Sequence, residues 1–405
     1  KQIPDQVKAQ EMEGRQDFRE DKVFTIDGAD AKDLDDAISI KKLGRGYRLG
    51  VHIADVGHYI PERSPLDVEA LKRGNSVYLV DQVIPMLPPK LSNGICSLNP
   101  HENRLTLSVL IDLDENAQVV DYKIQKGIIN SRLRATYEEV ARVLEKDEKV
   151  DPEYEPFVED IRTMAELADK LTKRRFERGS MDFNIGEAKV ILDDQGRPVE
   201  IKKEERLISH RIIEEFMLIA NEVIAEHLYW LKIPSVYRVH EEPDVSKIFT
   251  TGEVLHNLGY TLRATKEIRP KMLQDILEKA KGKPEERLVN TLLLRSLKQA
   301  RYNPKNLGHF GLAARYYTHF TAPIRRYPDL AIHRLLTKHL GGQWGAKNGD
   351  KQARYMEKVA KRSSERERIA EDAERDSTDL KIAQYMSQRI GQVYDGIVSS
   401  VTSFG

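Results

Sequence analysis

The chain has 405 residues, 40% apolar and 32% charged, a globular profile long enough for two or three domains and a large buried core. A single cysteine, Cys96, excludes an intrachain disulfide and a thiolate metal cluster. Lys and Arg (65) balance Asp and Glu (65), which argues against a protein that coats nucleic acid with its whole surface.

In chain order, residues 1–20 are polar and aperiodic and read as a linker or an approach strand. Val23–Ile26 is a short β run ending at the turn signal Asp27-Gly28. Leu34–Ile40 and Tyr47–Val56 alternate, and Gly44-Arg45-Gly46 between them predicts a hairpin. Further β signal runs through Ser76–Val83, Leu105–Leu113 and Val119–Ile129. From Tyr137 the period changes, and helices are expected over Tyr137–Leu144, Tyr154–Phe176 and Leu207–Trp230. Later ones follow at Val245–Asn257, Pro270–Lys281, Glu285–Leu297, Leu330–Leu340 and Gln352–Ile390. Strands first and helices afterwards predict an α+β fold, an antiparallel-rich sheet region surrounded by helices. After Gly391 a strand–turn–strand pattern begins. A hairpin alone is not independently stable, so residues 391–405 read as the entrance to a further β-domain.

The longest apolar stretch, Phe216–Ala220 with Val223–Ile224 after it, is broken by Asn221 and Glu222. No membrane-spanning run is present, and the first residues lack the apolar core of a secretory signal. With one cysteine, the expected location is the cytoplasm.

The neutral total conceals an asymmetry. Between Asp21 and Asp36 six aspartates face two lysines, a net of −4, whereas between Lys298 and Lys338 eight cations face only Asp329, a net of +7. The acidic segment is Thr25-Ile26-Asp27-Gly28-Ala29-Asp30-Ala31-Lys32-Asp33-Leu34-Asp35-Asp36-Ala37. Clustered carboxylates repel unless cations neutralise them. In an extended chain Asp33 and Asp35 share one side, and Asp36 points the other way unless the chain turns. Carboxylates without Cys or His are hard oxygen ligands suited to Mg²⁺ or Mn²⁺. A calcium loop of the EF-hand type fails on spacing, because from Asp27 its third and fifth positions are Ala29 and Ala31. The alternative is a solvated acidic turn.

The cationic segment His309–Asp329 interleaves Arg325 and Arg326 with Tyr316, Tyr317, Phe320 and Tyr327 in a stretch braked by Pro323 and Pro328. Guanidinium groups grip phosphates and aromatic rings stack on bases, which predicts a contact with single-stranded nucleic acid. Its alternative is a helix–loop junction with incidental charge.

Together these segments resemble the ribonuclease II/ribonuclease R family, the RNB exoribonucleases. The likeness rests on Thr25–Ala37, Gly74–Pro88, Leu91–Pro100 and Tyr317–His333, extends over roughly residues 15–390, and reads closer to the bacterial ribonuclease R branch. It implies an RNB catalytic domain over 21–390 with an RNA channel, and an S1-type OB-fold beginning at 391–405. The implied activity is processive, metal-dependent 3′-to-5′ hydrolysis of RNA to 5′-mononucleotides. The family's aspartates fall on Asp27, Asp33, Asp35 and Asp36, with Asp30 extra to the quartet. The implied cofactor is Mg²⁺, two ions, with Mn²⁺ as the other candidate. Arg325 matches the family's arginine at the transition state, and Arg326 and Tyr327 beside it are candidate RNA contacts, Arg326 alternatively structural. Tyr78 and Phe183 match the aromatic clamp on the 3′-terminal bases; read alone, both are core aromatics. Tyr137 and Glu215 match the ribose contacts, although Glu214 is adjacent and Glu215 alternatively pairs with Arg211 along its helix. Glu367 matches a glutamate near the catalytic centre, while Ser364 and Glu367 also spell a capping box. The implied partner is the 3′ end of single-stranded RNA, bound by a monomer. Two other readings are a non-catalytic RNA-binding member of the family and an acidic-site metal phosphatase or DNA nuclease.

Overall fold

The computed structural model describes residues 3–145, 150–183, 188–262, 267–343 and 349–396. In chain order the elements begin α1 (Ala9–Met12), β1 (Gln16–Asp17), β2 (Thr25–Asp27), β3 (Asp36–Leu43), β4 (Gly46–Ala54), α2 (Val56–Tyr59) and α3 (Pro65–Arg73). They continue through β5 (Val77–Tyr78), β6 (Val83–Ile84), an irregular helical turn at Lys90–Ile95, β7 (Asn103–Leu113), β8 (Val119–Asn130) and β9 (Arg134–Thr136). Next come α4 (Tyr137–Leu144), α5 (Val158–Arg178), β10 (Ala188–Leu192), β11 (Pro198–Lys203), α6 (Ile208–Trp230) and β12 (Tyr237–Val239). The last elements are α7 (Val245–Asn257), α8 (Pro270–Ala280), α9 (Glu286–Ser296), β13 (Arg301–Asn303), α10 (Tyr327–Leu340) and α11 (Gly349–Ser387).

The main sheet has the order β1-β8-β7-β4-β3. All its pairings are antiparallel except β1 with β8, which is parallel. The predicted hairpin forms with Leu43 opposite Gly46, and Gly44 takes the left-handed φ of +58° that a two-residue turn needs. Both faces of β4 are covered. Leu49, Val51 and Ile53 are buried, and so is His52 between the hydroxyls of Ser39 and Ser108 at 3.1 and 2.9 Å. A large core joins this sheet to α4, α5, α6 and α10, and a second one gathers α7, α8 and α9 around Leu273, Val289 and Leu293.

The α+β class and most elements follow the sequence reading, and the differences lie in detail. Of the two readings of residues 1–20, linker or approach strand, a short strand forms: β1 joins the sheet, and Arg15 Nη2 pairs with the buried Asp55 at 2.7 Å. The expected strand over Ser76–Val83 is a minimal hairpin of two paired residues per strand. The hairpin β10–β11 was not anticipated, although Asp193–Gly196 between its strands is a turn signal. The OB-fold entrance expected over 391–405 falls largely outside the described residues, which end at 396, and 391–396 carry no strand.

Candidate active site

The acidic segment folds around one buried apolar residue. Leu34 is buried, its N–H donates to Ser97 Oγ at 3.0 Å, and its carbonyl accepts from Leu98 N–H at 3.0 Å. Ser97 Oγ also donates to the Lys32 carbonyl, and Arg134 Nη2 donates to the carbonyls of Ala29 and Ala31. Tied there, residues 28–35 fold back between β2 and β3, so Asp27 at one strand's end, Asp36 at the other's start, and Asp33 and Asp35 meet. Asp30 stays exposed on the loop.

Asp35 is 4% exposed. Its Oδ1 accepts from Ile324 N–H at 2.8 Å, and Arg325 Nε stands 3.6 Å from its Oδ2, too far for a hydrogen bond. Burial, then the charges of Asp36, Asp35 and Asp33, push the Asp27 carboxyl up to about 9. Burial likewise raises Asp36 to about 6 against the pull of Arg325 and Arg326, and raises Asp35 well above the usual carboxylate range. Asp27 Oδ2 and Asp35 Oδ2 are buried with no hydrogen-bond partner. Desolvated carboxylates crowded this way create a demand for cations, and an all-oxygen donor set fits a hard divalent ion. Among the described residues no three acidic, imidazole or thiol side chains converge to enclose one in the observed conformations.

The backbone brings the other site elements to the same place. Gly74 closes α3 at φ +80°, where a Cβ would stand 2.6 Å from Arg366 Cβ, and its carbonyl accepts from Tyr327 N–H. Ser76 N–H donates to the Arg325 carbonyl at 3.0 Å, aligning the segment that leads to Tyr78 with the arginine loop. Tyr78 is 41% exposed and its hydroxyl donates to Asp33 Oδ2 at 3.2 Å. Tyr78, Arg325, Glu367, Glu371 and Glu374 line a cavity of about 230 Å³ with Asn75 among its other walls. On the far side, β2 pairs with β9 so that Asp27 lies opposite Thr136. Tyr137 follows, its ring stacked on His210 at 3.9 Å and its hydroxyl held protonated by burial and by the charges of Asp27 and Asp36.

Other residues singled out in the sequence take varied places. Glu215 is buried: its Oε1 accepts from Arg175 Nε and Nη2 at 3.0 and 2.7 Å and from Thr172 Oγ1 at 2.9 Å. That corrects both its reading as a ribose contact and its pairing with Arg211. Glu214 is half-buried and pairs with Arg206, which also holds Asp182. Tyr327 is corrected from RNA contact to core residue, because it is fully buried with its hydroxyl on Asp67 Oδ1 at 2.7 Å and Tyr355 at 2.6 Å. Arg326 takes the structural one of its two readings, since its guanidinium spans both oxygens of the buried Asp329 at 2.9 and 2.7 Å. The rings of Tyr316, Tyr317 and Phe320 are buried, so the cationic loop offers no row of stacking aromatics. Phe183 packs half-buried against the second core. Glu367 lies inside α11, not at a cap, and pairs with Arg238. Glu371 and Glu374 were missed, although their spacing of four and seven from Glu367 is the signature of one helix face.

A profile of the RNB domain matches residues 15–342. The chain is 46% identical to ribonuclease R 1 of Lactococcus lactis over all of its own length and 50% of that protein. It is 47% identical to ribonuclease R of Thermotoga maritima over all of its length and 57% of that protein. It therefore spans about half the length of the curated relatives it matches. The solved structure of Mycoplasma genitalium RNase R in complex with ribose-methylated single-stranded RNA superposes with a TM-score of 0.92 at 32% identity, over 98% of this chain and 63% of that one. On these matches and on the arrangement of its aspartates and arginine, the chain belongs to the RNB domain family.

Proposed function

We propose that this chain carries the hydrolytic centre of a 3′-to-5′ exoribonuclease that removes 5′-mononucleotides processively from single-stranded RNA. The observation that carries this reading is the meeting of the two oppositely charged segments at Asp35, beside Ile324 N–H and Arg325. Membership of the RNB family, relatives named ribonuclease R along the whole chain, and a close structural relative solved with single-stranded RNA support RNA as the substrate.

In this reading Asp27, Asp33, Asp35 and Asp36 hold Mg²⁺, two ions, with Mn²⁺ as the other candidate. Bound there, the metal supplies an activated water and polarises the scissile phosphate. Arg325, half-exposed beside Asp35, donates to the non-bridging phosphate oxygens as negative charge builds on them. The Tyr78 ring at the lip of the site stacks on the terminal base, a contact worth about 1–3 kcal/mol that reads no sequence. Phe183 serves as its opposing ring, and Glu367, steadied by Arg238, orients groups in the cavity around Arg325. Tyr137, a proton donor beside Asp27, faces the ribose, and the half-buried Glu214 replaces Glu215 as its acceptor partner. Reading the 2′-hydroxyl distinguishes RNA from DNA. Among the described residues no helix is long and apolar enough to cross a membrane, and the reading extends to a monomer acting in the cytoplasm.

A second reading, an RNA-binding member with weak catalysis, draws on the side chains that do not enclose an ion as they stand. A time course on single-stranded, 3′-tailed and blunt RNA separates the two. Mononucleotides released from the 3′ end with Mg²⁺ and not with EDTA support the exoribonuclease. RNA retained intact under both conditions supports the binding protein.

A further inference from the structure

The hairpin carrying Tyr78 pairs Val77 with Ile84 and Tyr78 with Val83 and closes its turn with Leu79 N–H on the Gln82 carbonyl at 2.9 Å, too little to hold its own shape. It is held from outside, at the ring by the Tyr78 hydroxyl on Asp33, at its far end by Arg73 Nη1 on the Pro85 carbonyl at 2.8 Å, and along its backbone by α11. Tyr78 N–H donates to Glu374 Oε1 at 2.8 Å, Val80 N–H donates to Ser377 Oγ at 3.3 Å, and Lys381 Nζ reaches Asp81 Oδ2 at 3.6 Å. Positions 374, 377 and 381 are three and four apart, so they form one row along α11. The first tie has the greatest leverage. It acts on the backbone of the residue that carries the ring, it is charge-assisted, and water in the open cavity would satisfy the same N–H without aiming the ring.

We propose that Glu374 is a positioning residue: it latches the Tyr78 backbone to α11, with Ser377 as a second tie, and thereby sets the ring over the last base of the bound strand. The inference rests on the reading that Tyr78 stacks that base. Ring stacking demands a defined offset and separation, so an unlatched hairpin presents the ring in many poses and holds the base weakly. Long strands have other contacts along the protein. The shortest oligomers depend most on this one, so the latch decides which length is the last to be held.

The test compares the parent chain with Tyr78→Ala, Glu374→Ala, Glu374→Gln, Ser377→Ala and the double variant Tyr78→Ala/Glu374→Ala. One readout is the final undegraded length of an end-labelled oligoribonucleotide in Mg²⁺, with KM and kcat on a short oligomer. The other needs no turnover: quenching of a 3′-terminal 2-aminopurine in an oligomer bound to the same variants in an Asp35→Asn background.

Glu374→Ala is expected to lengthen the final product in the same direction as Tyr78→Ala. It should also raise KM on the short oligomer on the order of tenfold, the scale of one charge-assisted hydrogen bond, with a far smaller change in kcat and reduced quenching. Ser377→Ala should do the same more weakly. Glu374→Gln should restore the parent behaviour, because its amide oxygen still accepts the Tyr78 N–H. The double variant should match Tyr78→Ala alone. Parent-like products and quenching in Glu374→Ala, while Tyr78→Ala changes both, overturn the latch and leave the stacking role of Tyr78 standing; so does an additive double variant. Parent-like behaviour in Tyr78→Ala overturns the stacking role and the latch with it.

Discussion

Ile324 N–H and Asp35 Oδ1 stand 2.8 Å apart across 289 positions of sequence. This bond joins the acidic loop ahead of β3 to the arginine loop ahead of α10, and it places Arg325 beside the same carboxylate. Asp35→Asn deletes a charged oxygen and leaves an amide oxygen able to accept from Ile324. Hydrolysis of a single-stranded oligoribonucleotide is therefore expected to be lost while RNA binding survives, measured by product release and by anisotropy on one preparation. Turnover at the parent rate would remove Asp35 from the metal-binding set.

The metal requirement should depend on pH. With Asp27 raised to about 9 and Asp36 to about 6, the cation-free site retains protons at neutral pH that a bound ion must displace. Ligands bind metal deprotonated, so the Mg²⁺ concentration for half-maximal activity should fall as pH rises from about 6 to about 9. The stability of the metal-free chain should run the opposite way. A carboxyl raised in the fold favours the folded state least where the unfolded chain has lost its proton, so stability falls as pH rises through that window. Mg²⁺ should relieve the loss. Melting curves with and without Mg²⁺ across the range check both trends, and a pH-independent Mg²⁺ requirement would count against the raised carboxyls.

At the cavity lip, the ring and the hydroxyl of Tyr78 make separable contributions. Tyr78→Phe keeps the stacking face and loses only the hydroxyl contact with Asp33. Its end-product ladder should match the parent's, whereas Tyr78→Ala should stop at longer oligomers. The reverse order would assign the hydroxyl, not the ring, to the substrate.

Arg175 and Glu215 form a pair with side chains 5% and 3% exposed. Removing one partner strands a buried charge, so Arg175→Met should cost about 3–5 kcal/mol of unfolding free energy. Glu214→Ala, at a half-buried position, should change stability by roughly 0.5 kcal/mol or less and narrow the preference for RNA over DNA. Denaturant titration together with competition between RNA and DNA oligomers separates the two glutamates.

Tyr327→Phe tests the reassignment of that residue to the core. Loss of the hydroxyl leaves Asp67 and Tyr355 short of a partner, a cost of about 1–3 kcal/mol. Affinity for single-stranded RNA should be unchanged by fluorescence anisotropy, and a marked loss of affinity would return Tyr327 to the RNA surface.

Much of this was legible in the residues alone. The bounds of α7 and α4 match the periodic segments read from the sequence, and the other helices predicted there agree within a few residues, because apolar spacing and local breakers such as Pro156 and Pro270 act over short range; α3 was not read. The aspartate cluster and Arg325 stood out for a related reason: like charges concentrated in a folded segment need a compensating partner wherever they sit. Short-range pattern did not reveal which polar side chains were already engaged. Glu215 and Glu214 are neighbours on one helix, and only the packing of α5 against α6 gives the first to Arg175. Arg325 and Arg326 are equally basic in sequence, and the turn into α10 commits the second to Asp329 while leaving the first half-exposed. Glu374 had no meaning until α11 lay along the edge of β5. Residue type and spacing thus determined what chemistry the chain could perform. Tertiary contacts decided which groups face the cleft and which are sealed in the interior, because a charge buried against a partner from a distant element is out of a substrate's reach.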